Sequence, residues 1–177
     1  MDAELNAEKN VVKLILERFP VLEGHVRIRR RGRIAVDPLV HRDFEKVFAF
    51  VSQGGGFNRF LMLSGTDDGD WLGVTYFLSN ADEVVLMLRQ RALKASPQIR
   101  SICRCFPNAL WQERELADLL GFQVEELPPG PRYPLPADWP AGNYPLRKDW
   151  NPQCFNRDSM TYEPNQATAG ASKEGGE

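Results

Sequence analysis

Glu113, Arg114 and Glu115 are consecutive, and Asp118 follows about one helical turn later. Carboxylates gathered in this way can act as acid and base, or hold a divalent cation. The plainer reading is a half-exposed helix whose charges face solvent or pair with one another. Arg114 and Asp118, at i and i+4, are natural partners for such a pair, and the cluster is therefore read as a source of geometry and not of catalysis.

The other residues with chemical potential point the same way. Structural zinc and iron-sulfur centres take four ligands at recognisable spacings, which the three cysteines Cys103, Cys105 and Cys154 do not supply. His25 and His41 fall in no ligand pattern. The thiols read as small core residues or unengaged side chains, and their odd number fits a reducing compartment. Arg27, Arg29, Arg30, Arg31 and Arg33 could neutralise phosphates. Against that stand a formal net charge of -2, a pI near 5.8, and the lack of interleaved aromatics on which bases would stack. Gly54-Gly55-Gly56 lacks the lysine and hydroxyl residue of a phosphate loop and reads as a turn. No nucleophile elbow, Ser/His/Asp set or dinucleotide fingerprint appears. Taken on residues alone, the chain is a scaffold or interaction module, with nucleic-acid binding through the arginine hairpin as a distant alternative.

The elements that must position these residues follow from periodicity. With 177 residues and 42% hydrophobic content, the chain can bury one core. Val11, Val12, Ile15, Leu16 and Phe19 share one helical face, and Pro20 ends that helix. From His25 to Val36 the period becomes two, with a turn at Arg31-Gly32, which predicts a hairpin. Asp37-Pro38 is expected to cap and open a second helix carrying Phe44, Val47, Phe48 and Val51, which the glycine run stops. A three-stranded meander follows: Phe60 to Leu63, then Leu72 to Leu78 after the Asp67-Asp68-Gly69-Asp70 turn, then Val84 to Leu88. A third helix is expected from about Asn108 to Leu120, with Leu116, Leu119 and Leu120 sharing a face with Trp111 or Ala109, and Gly121 as its C-terminal glycine. The fold class is α+β: a two-layer domain over 1–126 with helices packed on a mostly antiparallel sheet.

Nine of the thirteen prolines lie between Pro128 and Pro164, so this stretch can continue neither helix nor central sheet. It also carries Tyr133, Leu135, Trp139, Tyr144, Leu146 and Trp150, too many apolar groups for a solvated linker. Residues 127–164 are thus expected to form an extended, partner-binding arm lying on another protein, and 165–177 a disordered tail. No stretch approaches the roughly 18 apolar residues of a membrane span, and Met1 to Lys9 is polar and unlike a signal segment.

Two motifs add a resemblance. Phe106-Pro107-Asn108-Ala109-Leu110-Trp111-Gln112-Glu113-Arg114-Glu115, followed by Asp118-Leu119-Leu120-Gly121-Phe122, resembles the signature helix of the C-subunit, or 30-kilodalton subunit, family of complex I. Pro145-Leu146-Arg147-Lys148-Asp149 is similar to that family's closing motif, and weaker similarity extends the resemblance over roughly residues 40 to 150. One loop departs from the respiratory pattern: where those members carry Gly-His-Pro-Asp-Leu-Arg-Arg, this chain has Leu127-Pro128-Pro129-Gly130-Pro131-Arg132-Tyr133-Pro134. That loop, with Trp139 in the continuation, looks more like the corresponding subunit of energy-converting nickel-iron hydrogenases of the CO-induced or formate hydrogenlyase type.

The resemblance implies a non-catalytic subunit without its own cofactor. Iron-sulfur clusters and a nickel-iron centre would lie in partner subunits. The partners it implies are the large hydrogenase or complex I D-type subunit, small iron-sulfur subunits and, indirectly, membrane subunits, with no nucleic acid. It places the chain in the cytoplasm, peripheral on the inner face of the membrane. The C subunit of respiratory NADH:quinone oxidoreductase is the alternative. Trp111, Glu113, Arg114, Glu115, Asp118, Gly121, Trp139, Pro145, Leu146, Arg147, Lys148 and Asp149 are the motif residues expected to serve docking. In an extended segment, Arg147 and Asp149 would face one side, and Leu146, Lys148 and Trp150 the other. Arg147 is then expected to grip a partner carboxylate through both arms of its guanidinium.

Overall fold

The computed structural model describes residues 5–39 and 41–164. Helix α1, Asn6–Arg18, buries Val11 and Ile15, and the chain leaves it into a 3-10 turn at Pro20–Leu22. Strands β1, Val26–Arg30, and β2, Arg33–Leu39, form the expected antiparallel hairpin, with Val26 opposite Val36 and Ile28 opposite Ile34. Buried Glu8 ties α1 to it by accepting the N–H of Gly32 in the hairpin turn.

Asp37-Pro38 does not open a helix. Both residues lie inside β2, and helix α2 spans His41–Gln53. The reason is a strand pairing that the sequence does not display: β2 runs parallel to β5, Val85–Leu93, and that ladder continues to Leu39 opposite Gln90. The register slips between Val36 and Leu39, where proline contributes no N–H. The Asp37 carboxylate turns sideways instead, to Arg29 at 3.0 Å.

Strands β3, Arg59–Asp67, and β4, Trp71–Ser79, complete the antiparallel meander with β5. The hairpin and the meander therefore form one five-stranded sheet in the order β1-β2-β5-β4-β3. Leu72, Val74, Tyr76, Leu78, Leu86 and Leu88 are buried on one face, and alternation along a strand sends their neighbours to the other. On the buried face, Phe44 and Phe48 of α2 lie 4.7 and 6.2 Å from the Tyr76 ring. The glycine run stops α2: Gly55 donates to the Phe50 carbonyl, Phe57 donates to that of Val51, and Gly56 takes φ +78°.

Helix α3, Leu110–Leu120, follows a 3-10 turn at Pro107–Ala109. It closes on β3 at Gly65, where a β-carbon would sit 2.6 Å from a Leu116 methyl. Of the two residues offered for the core face, Trp111 stays out and is 50% exposed. Five residues separate it from Leu116, a rotation of about 140° around the helix, and Ala109 fills the inward place. Beyond α3, β6, Gln98–Arg100, pairs in parallel with β7, Gln123–Glu125. The arm adds a 3-10 turn at Pro152–Cys154 and a short antiparallel pair, β8, Phe155–Asn156, and β9, Thr161–Tyr162. The expected disordered tail, 165–177, lies outside the described residues.

Gly121 ends α3 at φ +75°, and a β-carbon there would meet the Tyr144 ring of the arm at 2.5 Å. A left-handed backbone costs an L-residue about 1 to 2 kcal/mol, so Gly121→Ala should lower the melting temperature by about 2 to 8 °C. Thermal unfolding followed by circular dichroism checks this, and an unchanged midpoint would show that the cap is not under this constraint.

Candidate functional site

The adjacent signature residues of α3 point in opposite directions. Glu113 is fully buried, contrary to the expected solvated face. Its carboxylate accepts the Ser101 hydroxyl at 2.6 Å, the Ile102 N–H at 2.7 Å and the Cys103 thiol at 3.2 Å, so it organises the loop before α3. Burial raises its pKa, and these donors offset part of that rise. Nearby Tyr76 is also held above its ordinary value, by burial and then by the Glu113 carboxylate. Burial pushes the Cys103 thiol up to about 11, so it stays protonated and unreactive near neutral pH. Cys105 is exposed and Cys154 buried. Among the described residues, no cluster of three or more His, Cys, Asp or Glu side chains is placed to hold a metal ion.

Arg114 does not pair with Asp118. Its guanidinium, also buried, donates to the carbonyls of Pro128 at 3.2 Å and of Pro129 and Pro131 at 2.9 Å, and lies 5.0 Å over the Trp111 ring. Gly130 has no side chain to occupy the place where the guanidinium passes. Asp118 instead takes Arg132 at 2.7 Å and the Leu135 N–H at 3.1 Å. Both residues of the expected helical pair thus hold the arm.

The closing motif is folded, not extended. Arg147 N–H bonds the Tyr144 carbonyl and Trp150 N–H that of Arg147, which makes two successive turns and removes the two-sided arrangement read from the sequence. Leu146 N–H bonds the Leu119 carbonyl, and Arg147 Nε donates to the Leu120 carbonyl at 2.7 Å while the guanidinium lies 4.3 Å over Tyr144. Lys148 N–H reaches Asp67 at 2.8 Å, and Lys94 bridges Asp67 at 2.8 Å and Asp149 at 2.9 Å. Trp139 donates its indole N–H to the Asn143 carbonyl and lies 4.4 Å from Phe155 and 6.1 Å from Trp150. Through these contacts the arm is held to its own domain.

The motif residues divide accordingly. Glu113, Arg114, Asp118, Gly121 and Arg147 make internal contacts, and Trp139 and Pro145 are half-buried in the arm. Trp111, Glu115, Leu146, Lys148 and Asp149 remain exposed. Between β3 and α3 runs a groove of about 470 Å³, walled by Met62, Gly65, Gln112, Leu119 and Leu146. Sequence reading missed Asp67, Lys94, Ser101, Gly65 and Gly130. The first sits in a motif that reads only as a turn, and its partner Lys148 lies 81 positions away.

Asp67 offers a direct check on the arm's attachment. Burial would raise its pKa, but the Lys94 ammonium and the N–H groups of Lys148 and Gly69 outweigh burial and bring it down to about 2. A carboxylate depressed on folding stabilises the folded form above its unfolded pKa of about 3.9 and ceases to do so as pH falls through the folded value. The Lys148 amide resonance should therefore report detachment between about pH 4 and pH 2. Asp67→Asn should abolish that step; a wild-type Lys148 signal that stays unmoved would contradict the attachment.

The family described as "Respiratory-chain NADH dehydrogenase, 30 Kd subunit" matches residues 39–155. The chain is 31% identical over 144 residues to the beta subunit of the membrane-bound hydrogenase of Pyrococcus furiosus, covering 78% of this chain and 83% of the relative. It is 31% identical over 146 residues to the F(420)H(2) dehydrogenase C subunit of Methanosarcina mazei, covering 80% and 90%. "Formate hydrogenlyase subunit 5" of Escherichia coli is 35% identical over 107 residues, which cover 58% of this chain but 18% of that longer protein. The family match takes in both sequence motifs, α3 and most of the arm, and the chain belongs to the respiratory-chain NADH dehydrogenase 30 Kd subunit family.

Proposed function

We propose that the chain is a non-catalytic subunit of a membrane-associated, energy-converting nickel-iron hydrogenase complex. It docks on the large catalytic subunit and supports electron transfer to protons by keeping neighbouring subunits in register. The observation that carries this reading is the use made of the signature residues: Glu113, Arg114, Asp118 and Arg147 hold loops and arm in place through hydrogen bonds within the chain. The thiol of Cys103 is protonated and buried, which suits a structural role.

Its relatives are subunits of multisubunit redox complexes. The short share of the Escherichia coli protein that aligns supports the choice of partner. A domain like this one forms part of a longer chain there, and the remainder of that chain stands for what the domain described here would dock against. Iron-sulfur clusters and the nickel-iron centre would then reside in partner subunits. Among the described residues, no helix is long and apolar enough to cross a membrane, so the proposed attachment to the cytoplasmic face runs through partners. The proline-rich loop at 127–134 favours hydrogenase over the C subunit of NADH:quinone oxidoreductase, the second reading that the family itself supports.

In the proposed docking, 127–164 serves as the partner-binding arm of the 1–126 domain. Trp111, Tyr133 and Leu146 are its apolar anchors, since all three are exposed; Glu115, Lys148 and Asp149 form the polar rim. Arg147 acts by shaping the arm and not by gripping the partner. Exposed aromatic and aliphatic anchors at interfaces cost about 1 to 3 kcal/mol when removed, or roughly tenfold to a hundredfold in affinity. Trp111→Ala with Leu146→Glu should therefore deplete a nickel-containing large subunit and its hydrogen evolution from material purified through a tag on this chain, and Leu146→Glu alone, which leaves the ring against Arg114 in place, should do so with the chain's own melting temperature unchanged. Full recovery of partner and activity would reject this docking mode, and stoichiometric metal or turnover in the isolated chain would reject the non-catalytic role.

A further inference from the structure

The five-stranded sheet has a second face that no α-helix among the described residues covers. Helices α2 and α3 pack on the side of Tyr76 and Gly65, and α1 contributes Val11 and Ile15 to the same core. On the opposite face the registers align Arg27, Ala35, Met87, Phe77 and Met62 in one row across all five strands. Met62 is 48% exposed, and Met87 and Phe77 are half-buried. A methionine-phenylalanine-methionine strip thus crosses the open face, and Trp71 with Leu93 makes a second apolar pair farther along β4 and β5.

Around the strip stand arginines. Register and alternation put Arg27, Arg30, Arg33, Arg59, Arg89 and Arg91 on this face. Within the strands, alternation places one carboxylate here, Asp37, which pairs with Arg29, and Asp68 of the adjoining turn pairs with Arg89. The chain as a whole is acidic, with formal charge -2, so positive charge has been segregated here. Two of the guanidiniums are fixed in place. Arg89 lies across Gly73, where a β-carbon would come within 3.1 Å of it, and is held by Thr66 at 3.4 Å and by Asp68. Arg91 lies 4.5 Å over Trp71.

We infer that this open sheet face is a docking surface for an acidic protein segment, whose apolar side chains rest on Met62, Phe77 and Met87 and whose carboxylates meet the surrounding arginines. The inference rests on the reading of the chain as a subunit and concerns the open sheet face, which meets the α3 and arm side only along edge strand β3, where Met62 also walls the groove. An apolar centre rich in methionine and aromatic side chains, with arginine at the rim, is the anatomy of a protein interface. Planar guanidiniums pinned flat on a sheet suit carboxylate forks. Lipid headgroups would be met by projecting, flexible cations, and nucleic acid by exposed rings for stacking.

The test replaces Met87, and in a second variant the more exposed Met62, with the photo-crosslinker p-benzoylphenylalanine. Cells are irradiated before lysis, and adducts are mapped by mass spectrometry. The expected result is an adduct within an Asp- and Glu-rich stretch of another protein, reduced at least tenfold by Arg27→Glu with Arg91→Glu. Adducts only to a second copy of this chain, to lipid or to nucleic acid would overturn the inference, as would no adduct from either position or one indifferent to the arginines. Absence of adduct while the chain still co-purifies with the large subunit sinks this inference and leaves the proposed function standing. An acidic adduct on a protein outside any redox complex does the reverse.

Discussion

A buried guanidinium has five N–H groups and no acceptor, so it is tolerated only where the chain supplies carbonyls or carboxylates to all sides. Arg114 meets that demand with the segment Pro128-Pro129-Gly130-Pro131. Three prolines lack N–H groups, so this stretch presents acceptors and almost no donors. The all-donor side chain and the nearly all-acceptor backbone complement each other, and Gly130 leaves the room that any side chain would take. The remaining attachments of the arm begin from this contact.

Because Glu113 and Arg114 are neighbours on one helix, the interior and the arm are fixed by the same rigid element. Glu113 sets the 101–103 loop from the core side. Arg114 sets the prolines, Asp118 then catches Arg132, and the end of α3 receives Leu146 and Arg147 through the carbonyls of Leu119 and Leu120. Asp67 closes the path at the end of β3 by holding Lys148. The product of these contacts is an outer surface in which Trp111, Tyr133 and Leu146 stand exposed on a hydrogen-bonded framework. Preorganised anchors lose less entropy on docking, which is how side chains that never touch a partner can govern assembly.

Local periodicity made much of this fold legible. The alternation from Val26 to Val36 and from Leu72 to Leu78, the spacing of Val11 with Ile15, and Gly121 after Leu120 each describe contacts made within a few residues. What stayed hidden depends on distant pairings. The parallel joint of β2 with β5 draws Asp37-Pro38 into a strand, against a local signal for a helix start. The depth of Glu113 depends on Ser101 and Ile102, and the partner of Arg114 lies beyond the end of its helix. The motif pattern singled out Arg114 and Asp118 but not the direction in which they act, since the pair satisfies the rule for a helical ion pair as well as it satisfies the arm. The proline content points away from α-helix and central sheet in the arm, but it does not reveal the contacts that Arg114, Asp118 and Asp67 of the same chain make with it.

The central claim is that the fork of Arg114, and not merely its charge, fastens the arm to the domain. Hydrogen-deuterium exchange on the isolated chain, comparing wild type with Arg114→Lys, tests it most directly. Hydrogen bonds to charged groups contribute about 1.5 to 3 kcal/mol, so the amides of Leu135, Leu146 and Lys148 should exchange roughly tenfold to a hundredfold faster in the variant, with Val74 and Tyr76 in the sheet unchanged. Arm amides that exchange at the wild-type rate with lysine in place would contradict the account.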